Sequence, residues 1–202
     1  MNILLIDTCL DKTYLTISHN DITNSLILEN NGNDYHTSHI HSNIIKLCKI
    51  SGVTLQDINM LVTDIGPGSF TGIKVGLTVV KTLAQGLNID ILPINSLELL
   101  VKAYQKECAA LDARKGKCYF IHSTEGPMLI DWEELENYQN KSFVCDKKIY
   151  DYLTPKGIDS INYEEKNVKL SEIMLSFIDK KEVVNWANLR PLYIQPPPIH
   201  KK

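Results

Sequence analysis

Two short stretches of this chain repeat one another, and the repetition limits the folds open to it. Around Asp7 the sequence reads Leu5-Ile6-Asp7-Thr8, and around Asp112 it reads Ala110-Leu111-Asp112-Ala113. Lys12 and Tyr14-Leu15 follow Asp7 at the offsets at which Lys117 and Tyr119-Phe120 follow Asp112. Each stretch reads as buried strand, aspartate, turn and second strand. Self-similarity at this range marks a duplicated unit. It predicts two domains, 1–105 and 106–202, parting near residues 104–107, and 202 residues suffice for a core in each.

In the first half, residues 3–6, 14–18 and 26–29 read as strands, 30–34 as a loop and 38–51 as a helix ended by Gly52. Residues 60–65 form an apolar run with the length and β-branching of a buried strand. A helix over 69–87, a strand over 89–94 and a helix capped by Ser96 complete the order βββαβαβα. The second half offers a strand at 128–130, a helix capped by Asp131, a strand at 142–145 and a helix near 171–180. Its elements are shorter and its loops rich in Asn, Lys and Asp.

The joint between strand 60–65 and helix 69–87 is Gly66-Pro67-Gly68-Ser69-Phe70-Thr71-Gly72-Ile73-Lys74-Val75-Gly76. Gly66 and Gly68 permit a sharp turn, and Ser69 suits an N-cap. Such a turn points amide donors outward, as a phosphate cradle would. It is not a Walker A loop, because Ile73 separates Gly72 from Lys74, and Thr71 stands where the dinucleotide fingerprint wants its third glycine. The helix beyond it is too apolar for one sheet. Its apolar and glycine positions sweep roughly 200° of arc, against the roughly 100° that a sheet-packed helix needs. Lys74, Thr78, Lys81 and Gln85 make the polar stripe. In helix 38–51, Ile40, Ile44 and Leu47 share one face while Ile45 and Ile50 lie off it. Burial within its own domain and docking of a partner helix both account for this surplus. Gly72 and Gly76, four apart, would let an opposing helix backbone approach.

Apolar residues make up 44% of the chain and charged ones 22%, the balance of a soluble globular protein. A net charge of −3 leaves no basic footprint for gripping nucleic acid unaided. Arg114 and Arg190 are the two arginines, which argues against a phosphate clamp. No run reaches membrane-span length, and Met1-Asn2-Ile3 lacks a signal peptide's basic start. The five cysteines form no close pair and fit reduced thiols in a cytoplasm. His36, His39 and His41 look metal-like, but no cysteine or paired carboxylate completes the set, so no metal is expected there. Pro196-Pro197-Pro198 with Lys201-Lys202 reads as a tail.

The duplicated βββαβα units resemble the plan of the actin-like ATPase and sugar-kinase superfamily (ribonuclease H-like domains). Residues 66–76 resemble the signature of the TsaB (YeaZ) family, in which arginine usually stands where this chain has Lys74. Ile6-Asp7-Thr8, His41-Ser42, Asp112-Ala113-Arg114 with Tyr119, and Pro191-Leu192-Tyr193 match in order. The resemblance implies an α/β fold of two actin-like domains, the second reduced. It implies a non-catalytic subunit in the making of threonylcarbamoyladenosine beside the tRNA anticodon. The implied partners are a TsaD-type transferase, forming a heterodimer, and a TsaE-type ATPase, with a homodimer when the chain is alone. tRNA would be met only through the complex, in the cytoplasm. The family's glycoprotease-like ancestry finds no zinc motif here.

On that reading the partner-binding residues are His41, Ile45, Phe70, Gly72, Gly76, Val79 and Leu83, on the two helices that would build half of a four-helix bundle. Asp7, Thr8, Gly66, Gly68, Ser69, Asp112 and Arg114 would line a vestigial nucleotide site. The two aspartates keep a small ATPase or kinase as the alternative, and a stand-alone homodimeric binding module is a third reading. The loops around the aspartates are poor in glycine, Gly116 excepted, and Gly126 and Gly157 do not form the superfamily's paired-glycine adenosine turn. The catalytic relative's two metal-binding histidines align with Ser96 and Leu100, neither of which can replace imidazole. No cofactor and no catalytic residue are expected.

Overall fold

Apolar runs closed by polar turns become the central strands of this protein. The computed structural model describes residues 1–20, 22–29, 39–166, 168–179 and 181–194. Strand β1 (Ile3–Asp7) is buried along its whole length. It pairs antiparallel with β2 (Lys12–His19), which pairs antiparallel with β3 (Ile22–Glu29). Exposure alternates along β3, as one free face demands. Helix α1 (Ile40–Ser51) leads to β4 (Met60–Asp64), parallel to β1, and α2 (Phe70–Leu87) to β5 (Asp90–Ile94), parallel to β4. Parallel neighbours need such crossovers. The sheet order is β3-β2-β1-β4-β5, and α3 (Ser96–Tyr104) follows.

The second sheet repeats the first. Strands β6 (Cys108–Arg114), β7 (Lys117–His122) and β8 (Met128–Asp131) form an antiparallel meander; β9 (Phe143–Cys145) and β10 (Ser160–Asn162) add in parallel on the other side. Its order, β8-β7-β6-β9-β10, is that of the first sheet strand for strand. The expected duplication and the α/β class are therefore present, and the second copy is the smaller. Where α1 stands in the first copy, the second has a 3-10 run, Trp132–Tyr138. The helix expected behind Asp131 is this run, opened by a capping box in which Glu134 Oε1 accepts the Asp131 amide at 2.9 Å. Helix α4 (Lys147–Leu153) and strand β10 were not expected; both are too short for periodicity to declare them. The helix expected near 171–180 is α5 (Leu170–Leu175).

The chain does not part at 105/106. One compact unit is Met1–Ser96 with Lys169–Pro191; the other is Leu97–Val168 with Leu192–Lys202. The C-terminal segment rejoins the first unit for physical reasons. Ile91 and Val184 exchange backbone hydrogen bonds of 2.9 and 2.8 Å along the edge of β5, and Leu189 is 1% exposed in the first core. Residues 97–104 of α3 go with the second unit, where Tyr104 Oη donates to the Tyr163 carbonyl at 3.1 Å.

In the first unit, α1 and α2 cover the same face of the sheet. Ile40, Ile44 and Leu47 join Ile73, Leu77, Val80 and Ala84 over Leu4, Ile6, Leu15 and Ile17. Burial of each large aliphatic side chain contributes roughly 1.5–3 kcal/mol. The second unit centres on Phe120, Phe143, Leu135, Ile149 and Leu153. Among the described residues no helix is long and apolar enough to cross a membrane. The expected helix start at 38, the loop 30–34, His36 and the tail 196–202 lie outside the described residues.

Candidate functional site

Asp7 and Asp64 close the two central parallel strands of the first unit side by side, since Ile6 of β1 is in register with Thr63 of β4. Both carboxyls are fully out of water, at 0% and 2% exposure. Asp7 Oδ1 accepts the Cys9 amide at 2.9 Å, while Asp7 Oδ2 is buried with no hydrogen-bond partner among the described residues. Asp64 is better supplied. Its Oδ1 accepts the Gly66 amide at 2.7 Å, and the Ser96 hydroxyl reaches both oxygens at 2.8 and 2.7 Å. Burial drives both acids toward their neutral forms, and the charge of Asp64 pushes Asp7 further. The Cys9 thiol donates to the Asp64 carbonyl at 3.3 Å and is itself pushed up by burial and by the two carboxyls.

A carboxylate oxygen of each aspartate and Cys9 Sγ lie within 4.8 Å of one another, which makes them a donor set of metal-like spacing. Asp64 and Cys9 were not among the residues singled out by sequence. The signal was there for Asp64: an acid ending a buried parallel strand, as Asp7 does. His39 and His41 of the sequence's metal-like trio lie at the exposed start of α1.

The glycine turn folds down onto this corner. The Ser69 amide donates to the Cys9 carbonyl at 2.8 Å, and the Gly72 amide to Ser69 Oγ at 3.2 Å, so Ser69 is the N-cap as expected. Thr8 Oγ1 donates to the Gly72 carbonyl at 2.7 Å. Gly66 adopts φ of +97°, a region that disfavours side chains. Asp7, Thr8, Gly66, Gly68 and Ser69 are thus brought together, but the amides of Gly66, Ser69 and Gly72 are spent inside the fold. Those three amides are therefore not free for a phosphate.

The expected role of Gly72 and Gly76 is corrected. A Cβ on Gly72 would run into the Thr8 carbonyl oxygen, and one on Gly76 into Thr8 Oγ1. Both glycines are buried and bring α2 onto the β1–β2 turn of its own unit. They do not face an outside helix.

The remaining docking residues are on the outer side. Ile45 is 40% and Phe70 52% exposed, with the Lys74 ammonium 4.0 Å from the Phe70 ring centre. His41 is exposed, and Val79 and Leu83 are half-buried. Ile50, Val75 and Leu87 extend the same apolar character along the two helices.

In the second unit, Asp112 has a different setting. Its Oδ1 accepts the Arg114 amide at 2.8 Å and its Oδ2 pairs with Lys148 Nζ. The Asp112 amide donates to Asp146, whose other oxygen caps α4 through the Ile149 amide at 3.0 Å. Arg114 stands at the hairpin tip with φ of +68°.

A family model described as "TsaD: tRNA N6-adenosine threonylcarbamoyltransferase" matches residues 29–187. The chain belongs to this family, on its TsaB (YeaZ) side. The tRNA threonylcarbamoyladenosine biosynthesis protein TsaB of Haemophilus influenzae is 36% identical over 105 residues, covering 49% of this chain and 44% of that protein. TsaB of Escherichia coli is 34% identical over 91 residues, covering 42% and 39%. The match thus spans under half the length of each. TsaB of Bacillus subtilis is 29% identical over 165 residues, 69% of this chain and 71% of that protein. A crystal structure of YeaZ from Pseudomonas aeruginosa superposes with a TM-score of 0.75 at 19% identity, covering 95% of this chain and 99% of that one. A second Pseudomonas structure, described as similar to peptidase YeaZ, gives 0.77. The fold of the YeaZ structure is thus shared over nearly the whole chain.

Proposed function

We propose that this chain is a non-catalytic subunit in the biosynthesis of threonylcarbamoyladenosine in tRNA, docking through the outer face of α1 and α2 onto a TsaD-type transferase. The observation that carries the docking surface is the exposure of the large apolar side chains Ile45, Ile50 and Phe70 on these two helices, where Val75, Val79, Leu83 and Leu87 are half-buried. Large apolar side chains left exposed on helices of a folded unit are candidates for an interaction site. The non-catalytic reading is supported by what the would-be catalytic positions do. Ser96 is bound to Asp64 and Leu100 is fully buried, so both are committed to the fold. A homodimer through the same face when the transferase is absent, a TsaE-type ATPase as third member, tRNA met only in the complex, and a cytoplasmic setting belong to this proposal. So does a vestigial role for the Asp7 and Asp112 corners.

The test pairs affinity with stability. Ile45→Glu with Phe70→Glu places carboxylates where apolar contact is proposed, at a cost of roughly 2 kcal/mol or more, or about thirtyfold in affinity for the TsaD-type subunit. Both side chains are exposed, so the melting temperature of the isolated chain stays within a few degrees. Unchanged affinity in calorimetry would remove this face from the interface. Turnover of ATP with magnesium by the chain alone, lost in Asp112→Ala, would favour the kinase-like alternative.

A further inference from the structure

We propose that the outward side of α1 and α2 is made for a partner surface that is acidic as well as apolar, and that its lysines disfavour pairing with a second copy of this chain. The sign of the partner's charge is what this adds to the docking reading above, on which it rests. From Ile40 to Leu87 the chain carries Lys46, Lys49, Lys74 and Lys81 against Asp57 and Asp64. Neither acid stands on the two helices. Asp64 is buried at the end of β4, and Asp57, beyond α1, accepts the Thr54 amide and hydroxyl at 2.8 and 2.7 Å. Helices α1 and α2 themselves hold no Asp or Glu, in a chain whose net charge is −3.

That one-sided charge works against the helices as isolated elements. A helix N-terminus favours a carboxylate in its first turn. α3 has Glu98 there and α5 has Glu172, whereas α1 and α2 have none. Lys147 pairs with Asp151 along α4, and Lys169 with Glu172 at the start of α5. On α1 the residue three places after Lys46 is Lys49, a spacing at which like charges repel. Among the described residues none of the four lysines of α1 and α2 is in an ion pair. Lys46, Lys49 and Lys74 are exposed and Lys81 is half-buried, with Lys74 over the Phe70 ring. The positive excess therefore serves no ion pair inside the described fold, and carboxylates of a docked partner would satisfy it.

Charge also discriminates between partners. Exposed Ile45, Ile50 and Phe70 suit any apolar surface, a second copy included. A twofold dimer through this side is isologous and sets the patch against itself. Lysines then meet lysines, and like charges across an interface suppress that pairing. A surface with carboxylates around apolar residues answers both features at once. Polynucleotide phosphates answer only the lysines and leave the isoleucines uncovered. The residue type best matched to phosphate is arginine, and both arginines, Arg114 and Arg190, lie outside these helices.

The experiment uses the full chain and the purified TsaD-type subunit. Sodium chloride is raised from about 50 mM to about 500 mM, which shortens the reach of exposed charges several-fold. Affinity for the transferase is expected to fall about tenfold or more over that range. Self-association, followed by sedimentation equilibrium, is expected to strengthen instead. These opposed trends need no variant. Combined Lys46→Gln, Lys49→Gln, Lys74→Gln and Lys81→Gln keeps helix propensity. It should bind the transferase about tenfold more weakly at low salt, lose most of the salt dependence, and self-associate more readily than the parent. A salt-insensitive heterodimer that Ile45→Glu with Phe70→Glu still disrupts would overturn the charge assignment and leave the docking face standing. Affinity untouched by the glutamate pair would remove the docking face, and this assignment with it. Retention of tRNA or of phosphatidylserine vesicles by the chain alone, lost in the glutamine variant, would also overturn it, because the lysines would then serve phosphates.

Discussion

Gly72 and Gly86 sit on the same helix and have opposite surroundings. A Cβ on Gly72 meets the Thr8 carbonyl, whereas nothing lies within 4 Å of one on Gly86. Helix propensity favours alanine at both by roughly 1 kcal/mol. At Gly86 that gain stands alone, and Gly86→Ala should raise stability by roughly 0.5–1 kcal/mol. At Gly72 the clash is with backbone, and Gly72→Ala should lower it by roughly 1–3 kcal/mol. Denaturant melts of the two variants give the comparison, and a stabilised Gly72→Ala would mean that α2 is not seated on Thr8. Four-residue spacing is equally compatible with a foreign helix and with a loop sixty residues back in the chain. That ambiguity is why sequence periodicity assigned Gly72 and Gly76 to a partner. Periodicity reports which side of a helix is crowded, not by what.

Among the elements, length decided what could be read. Helix α2 (Phe70–Leu87) and the strand before it stand out because many residues share one period. Helix α4 (Lys147–Leu153) has too few turns to show a period, and strand β10 has three residues, whereas β9, equally short, was read from its apolar run. Asp112 was legible from its repeat of Asp7, but its ion pair with Lys148 depends on α4, which was not. Asp64 reads in sequence as a strand-end turn former. Helix α4 gives its own test. Asp146 caps it through the Ile149 amide and also accepts the Asp112 amide, so one side chain joins helix to sheet. Asp146→Ala should cost about 2 kcal/mol, the upper end for an N-cap. Hydrogen exchange should speed up at Ile149 and Asp112 together. Faster exchange at Ile149 alone would mean that the cap and the strand are not coupled.

On the scale of the whole chain, the repeat in sequence and the partition in space are different things. The sheets copy one another, yet 169–191 belong to the first unit. Leu189, from the far end, is 1% exposed in the core built by β1, β4, α1 and α2. Leu189→Ala should therefore destabilise the first unit by roughly 2–5 kcal/mol, as for other buried leucines. Signals from Leu4 and Val80 would report the loss, while those of Phe120 and Phe143 hold. Equal loss at all four would show that the units unfold as one.

That returning segment has a consequence for the order of events at the ribosome. β1 to β5 emerge first, but the edge of β5 stays unpaired and the core stays short of Leu189 until Val184 and Leu189 have been made. The strands of the second sheet are synthesised in between as one continuous run. The first half of the nascent chain therefore waits, with apolar surface open, while the second sheet assembles. A chaperone that binds exposed apolar segments would find its longest opportunity there, on the part of the molecule that was translated first.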